Sequence, residues 1–129
     1  TNWRGTIAEQ LAGLDRKGGI MVRVIIERRI KEGMEHEFWE MTARLRASAV
    51  PQRGYVSGET WVDSQDPSYC IVISTWLTAE DWYAWESSPA RRAIAAALDP
   101  LLAEPTRVHV LRPPQGIEVR SDIAMPAAA

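Results

Sequence analysis

Tyr55-Val-Ser-Gly-Glu-Thr-Trp-Val-Asp63, Ser64-Gln-Asp-Pro-Ser68 and Tyr69-Cys-Ile-Val-Ile-Ser-Thr-Trp76 follow one another in the chain and read as strand, turn, strand. The outer runs are rich in β-branched and aromatic residues, and Asp66, Pro67 and Ser68 between them favour a turn. A hairpin at mid-chain organises what flanks it. Upstream, Val22 to Ile30 is dense in β-branched residues; one alternating row, Val22, Val24 and Ile26, is wholly apolar and the other carries Arg23 and Glu27. That pattern predicts a half-buried first strand. Lys31-Glu32-Gly33 turns the chain, after which Met34, Phe38, Met41, Leu45 and Ala49 recur at helical spacing as far as Val50 and the stop at Pro51. Downstream, Thr78-Ala-Glu-Asp81 has the form of a helix N-cap, and Ser88-Pro89 is a second cap with proline at the first helical position. Two helical pieces are predicted, over 79–87 and 89–102. Val108 and Val110 mark a last strand from Thr106 to Leu111, closed by Pro113-Pro114.

The order β-α-β-β-α-β predicts an α+β, ferredoxin-like antiparallel sheet with its helices on one face. The other face would carry Ile25, Tyr69, Ile71 and Ile73, so it needs a cover this chain does not supply. A homodimer packing sheet on sheet is the economical answer. Residues 1–20 read as an N-terminal helical extension, with Ile7, Leu11 and Leu14 at helical spacing, a capping box at Thr6-Ile-Ala-Glu9 and Gly18-Gly19 at its end. A rival reading takes Arg16-Lys17-Gly18-Gly19 as the product of a purine-rich ribosome-binding sequence, which makes Met21 the natural start. The domain proper spans 21–113, and residues 114–129 have little apolar periodicity, as expected of a flexible tail or one taken up by a partner chain.

The 129 residues are enough for one domain, and 15 basic against 17 acidic side chains leave a net charge of −2. Without a basic field, nucleic acid and anionic membrane are not expected partners; small molecules or other proteins are. The lone Cys70 cannot form an internal disulfide and reads as a packed thiol in a reducing compartment. No apolar run approaches the roughly 18 residues of a membrane helix, and the first residues lack a signal peptide's order, so a cytoplasmic location is expected. Six tryptophans stand against a single phenylalanine, so large flat side chains must fill a core, an interface or an aromatic pocket.

Few residues carry recognisable chemistry. Glu32, His36 and Glu40 stand at four-residue steps on the first predicted helix, but the zinc-binding pattern needs a second histidine where Glu40 stands. No metal is expected, and the run reads as a solvated face. No glycine-rich phosphate loop or nucleophile elbow is present, and Cys70 has no neighbour to activate it. His109 either takes a proton from a phenolic substrate or is a hydrogen-bonded surface histidine of the sheet. Arg28 continues the Val22, Val24, Ile26 row; it either holds an anionic or quinone-like oxygen or extends past the helix into water. Trp76, Trp82 and Trp85, with Tyr83 beside them, either line a flat apolar pocket or are plain core.

The run from Gly54 to Asp63, the Asp66-Pro67 turn, and the stretch Ser74-Thr-Trp-Leu-Thr-Ala-Glu-Asp-Trp-Tyr-Ala-Trp-Glu-Ser-Ser88 resemble the antibiotic biosynthesis monooxygenase family of dimeric α+β barrels. The likeness covers about residues 21–113. The resemblance implies a homodimer and, in the family's cofactor-independent branch, oxidation of a planar phenol or hydroquinone by dioxygen without metal or organic cofactor. Arg28 and His109 are then the candidate catalytic pair, cation and base, with Trp76, Trp82, Trp85 and Tyr83 holding a small aromatic substrate. The haem-degrading branch is marked by an Asn near the end of the first strand, a Trp on the second helix and a His ten residues later. Here those positions hold Arg28, Trp85 and Ala95, so haem degradation is not expected. The alternative is a non-catalytic binding or stress-response module of the same fold.

Overall fold

Alternation along Val22–Arg29 produces β1, with Val22, Val24, Ile26 and Arg28 buried and the intervening side chains more exposed. The computed structural model describes residues 19–114, and β1 is followed by α1 (Glu35–Ala49), β2 (Tyr55–Val62), β3 (Tyr69–Trp76), α2 (Ala79–Glu86), α3 (Pro89–Leu98), a 3-10 turn (Asp99–Leu101) and β4 (Arg107–Leu111). The four strands form an antiparallel sheet in the order β2-β3-β1-β4, the ferredoxin-like arrangement. The N-terminal helix expected over residues 1–20 and the tail expected beyond Pro113 fall almost wholly outside the described residues.

Register fixes which residues share a face. Val22, Val24, Ile26 and Arg28 lie opposite Trp76, Ser74, Val72 and Cys70 of β3, and Val24 and Ile26 lie opposite Val110 and Val108 of β4. This is the face on which the helices pack. Its apolar residues form two clusters, one of Val22, Val24, Ile26, Leu45, Ala49, Trp76, Trp82 and Trp85, the other of Ile30, Phe38, Cys70, Leu98 and Leu102. Each fully buried aliphatic side chain contributes about 1.5–3 kcal/mol. Arg28 stands in the row between the two clusters.

Local chemistry sets the helix boundaries. Thr78 Oγ1 accepts the backbone N–H of Asp81 at 3.1 Å and caps α2, and Ser88 Oγ accepts that of Arg91 at 3.2 Å, ahead of Pro89, to cap α3. The helix predicted to reach residue 102 stops at Leu98, because Pro100 has no N–H for the Ala96 carbonyl, and a 3-10 turn takes over. Gly54 joins the loop to β2 with φ +84°, its carbonyl accepting from Leu77 N at 2.7 Å; a Cβ there would run into the Asp81 carboxylate.

β2 contains an irregularity that the alternation did not predict. Tyr55 pairs with Trp76 and Ser57 with Thr75, so Val56 is an extra residue. With Val56 in regular alternation, Tyr55 would share the outer face with Ser57, Glu59 and Trp61. The bulge turns Tyr55 to the helix side, where its ring meets Trp76 edge-on with centroids 5.4 Å apart. Among the described residues, no helix is long and apolar enough to cross a membrane.

Candidate active site

Where Arg28 interrupts the apolar row, the helices do not close on the sheet. A cavity of about 290 Å³ opens there, bounded by Ile26 and Val72 of the sheet, by Trp76, Trp82 and Trp85, and by Tyr55 and the α1 face around Leu45. An engineered apolar cavity of about 150 Å³ accepts one benzene, so this volume corresponds to about two fused rings. Trp39, Arg46 and Glu59 also line it and are exposed.

The polar groups in the cavity are few, and their partners decide what it can do. Trp76 Nε1 donates to Ser74 Oγ at 3.1 Å, so that indole is satisfied within the fold. Trp82 Nε1 and Arg28 Nε are buried donors with no hydrogen-bond partner. Burying an N–H without an acceptor costs about 1–3 kcal/mol, and more for a charged group, so both are held at a cost to the fold. Arg28 is 3% exposed; burial first, and then the charge of Arg91, pull its guanidinium down to about 10, still protonated at neutral pH. Arg91, 8% exposed, reaches in from α3 with its guanidinium carbon 5.1 Å from the centre of the Trp82 ring. Burial lowers its pKa too, with Glu86 opposing.

Four of the residues expected from sequence, Arg28, Trp76, Trp82 and Trp85, come together in this cavity. Two do not. Tyr83 is 51% exposed and points away from the lining, because it is one residue from Trp82 on a helix whose inner face holds Trp82 and Trp85. His109 pairs with Ile25 on the outer face of the sheet, opposite to Arg28, and its Nε2 lies 2.9 Å from Glu27 Oε2. The expected pairing of His109 and Arg28 in one cavity is therefore corrected: Val108 and Val110 occupy the inward row of β4, and strand alternation sends His109 outward.

The remaining candidates have structural settings. Cys70 is buried between Phe38 and Leu98, and burial raises its thiol pKa. Glu32 lies in the turn before α1 and not on it, while His36 Nε2 and Glu40 Oε1 are 3.0 Å apart on the exposed helix face. Tyr55 and Arg91 were missed from sequence. Arg91 had a signal, since Arg91, Ile94 and Leu98 stand at i, i+3 and i+7, a cation in a core stripe.

An antiparallel ferredoxin-like sheet with an aromatic, cation-bearing cavity beneath its helices defines a small α+β domain. The model of the family described as "Antibiotic biosynthesis monooxygenase" matches residues 21–97, and the chain belongs to that family. The fold is shared with a conserved protein from Methanosarcina mazei, at TM-score 0.69 and 16% identity, covering 77% of this chain and 98% of that one. It is likewise shared with SnoaB, a cofactor-independent oxygenase from Streptomyces nogalater, at TM-score 0.63 and 18% identity, covering 76% and 99%. A 42.8 kDa protein in the whiE locus of Streptomyces coelicolor is 29% identical over 70 residues. That match covers 54% of this chain and 18% of the relative, so the chain spans less than a fifth of that protein's length.

Proposed function

We propose that the chain is a cofactor-independent oxygenase domain that converts a planar phenol or hydroquinone-like substrate to a quinone with dioxygen. The observation that carries this reading is the buried Arg28 guanidinium, without an ion pair among the described residues, in a cavity walled by tryptophans. Such a cavity stabilises a phenolate: the indole faces hold the ring, and fixed donors meet the oxygen at no reorganisation cost. No histidine lines the cavity, so the cationic surroundings take the role expected of His109 by lowering the phenol's own pKa. The proton leaves to water at the mouth.

The phenolate then passes one electron to dioxygen, and the phenoxyl radical and superoxide combine at the ring carbon para to the oxygen. Loss of water from the resulting hydroperoxide leaves the quinone, so one phenol and one dioxygen give one quinone and one water. Arg28 and Arg91 favour the step that places negative charge on oxygen, and the apolar walls protect the radical pair from solvent.

Oxygen uptake by metal-stripped protein with a panel of hydroquinones and polycyclic phenols tests this directly. Uptake above the spontaneous rate that falls in Arg28→Ala is the expected result. Saturable binding with no uptake for any member would leave the binding-module reading, which the lack of a histidine base in the cavity favours. The outer face, where Ile25, Ile71 and Ile73 are half-buried and Trp61 is 60% exposed, supports a homodimer packed sheet on sheet, and sedimentation at micromolar concentration should show a mass of two chains. The lone buried Cys70 supports a reducing, cytoplasmic setting.

A further inference from the structure

The charge inside the cavity is larger than a phenolate answers. Arg28 and Arg91 both line it and are both more than nine-tenths buried, and among the described residues neither guanidinium makes an ion pair or a side-chain hydrogen bond, Asp99 acting on Arg28 and Glu86 on Arg91 only from beyond ion-pair distance. The other arginines with close partners behave differently: Arg29 meets Asp66 and Glu104, and Arg107 meets Glu27. Desolvating one cation costs several kcal/mol, and two in one cavity also repel each other, so the pair is held at a cost that a ligand must offset. One negative oxygen neutralises half of that charge.

We propose that the cavity selects a bicyclic aromatic acid that carries a phenolic hydroxyl as well as its carboxylate. The phenolic oxygen accepts from the Arg28 guanidinium, and the carboxylate pairs with Arg91, whose planar fork matches two oxygens. Arg91 sits over the face of Trp82, so a ring held among the tryptophans has one acceptor for each cation. The volume, about two rings, sets the size. This inference rests on the reading of the cavity as a phenol site and adds the second charge.

The test is calorimetric titration of the full chain and of Arg91→Gln and Arg91→Lys, at neutral pH and low salt, with 1-hydroxy-2-naphthoate, 1-naphthol and 2-naphthoate. The hydroxynaphthoate is expected to bind at least about tenfold tighter than 1-naphthol, the lower end of what a charged hydrogen bond contributes. Arg91→Gln should remove that advantage, costing the hydroxynaphthoate about tenfold more than it costs 1-naphthol. Arg91→Lys should restore part of it. Equal affinities for naphthol and hydroxynaphthoate, or an Arg91→Gln loss shared by both, would overturn the second charge while leaving the phenol site standing. Failure of 1-naphthol to bind, with circular dichroism showing folded protein, would remove the phenol site and this inference together. Arg28→Gln separates the two sites, since it should weaken both phenols and spare the carboxylate advantage.

Discussion

Glu27 and Arg28 are neighbours on β1, yet the two faces of the sheet treat them in opposite ways. On the outer face, Glu27 accepts from the Tyr69 hydroxyl, lies 2.9 Å from His109 Nε2, and meets Arg107 at 3.4 Å. Those donors, Tyr69 first and His109 next, hold its carboxyl below the usual carboxylate range. On the inner face, Arg28 is more deeply buried and leaves Nε without an acceptor. A charge with its partners supplied stabilises the fold; a buried charge without them stabilises something else. The contrast separates a structural ion cluster from a ligand site on a single strand.

The largest effect should come from Arg28→Ala. Removing the phenolate's cation should lower oxygen uptake by about 10²–10³-fold, the scale of losing one preorganised donor at a developing anion. The same substitution should leave the thermal midpoint unchanged or raise it, because an unpaired buried charge is lost. A midpoint that fell steeply would mean Arg28 has a structural partner and would erase the contrast between the faces.

Next in size is Gly58→Ala. A Cβ at Gly58 would lie 2.5 Å from the Tyr55 hydroxyl but 3.6 Å from its Cζ, so the hydroxyl end of the tyrosine must shift within the cavity wall. Urea unfolding should show a loss of about 1–3 kcal/mol, as for other overpacked sites, together with weaker ligand binding. Ligand affinity equal to that of the parent chain would show that Tyr55 is not part of the working wall.

The outer face should respond to pH and the inner one should not. Because the folded protein lowers the Glu27 pKa from 4.5, its contribution is present above about pH 4.5 and is lost as pH falls through the folded value. Glu27→Gln should therefore flatten the acid limb of stability against pH with no change in cavity affinity, as followed by urea midpoints at stepped pH. An unchanged acid limb would place the titrating group elsewhere. The smallest effect is expected for His109→Ala, with ligand affinity and oxygen uptake within about twofold of the parent. A large loss of uptake would return His109 to the reaction, acting across the sheet or from a second copy.

Most of the fold was legible in the chain because its cues are local. Alternation made β1 and β3, helical spacing made α1, and the Ser88-Pro89 cap started α3 within residues that touch along the backbone. Arg28 was legible as an anomaly for the same reason, a cation in an apolar row. The helix end at Leu98 was overrun because the apolar pattern continues through Leu101 and Leu102, while Pro100 withholds the N–H that would extend it. The face that Tyr55 takes was not legible because a bulge at Val56 is decided by the pairing of β2 with β3, two segments whose register no single strand contains.

The sequence by itself determined the elements, their order, the family and the aromatic wealth that a cavity would use. Only the tertiary structure decided that Arg28 and Arg91, from β1 and α3, share one cavity without carboxylate partners among the described residues, that Trp76 is satisfied and Trp82 is not, and that His109 faces away. The physical reason is range. Periodicity and capping act between residues a few positions apart, whereas desolvation and charge balance are sums over everything that packs around a group, most of it distant in sequence.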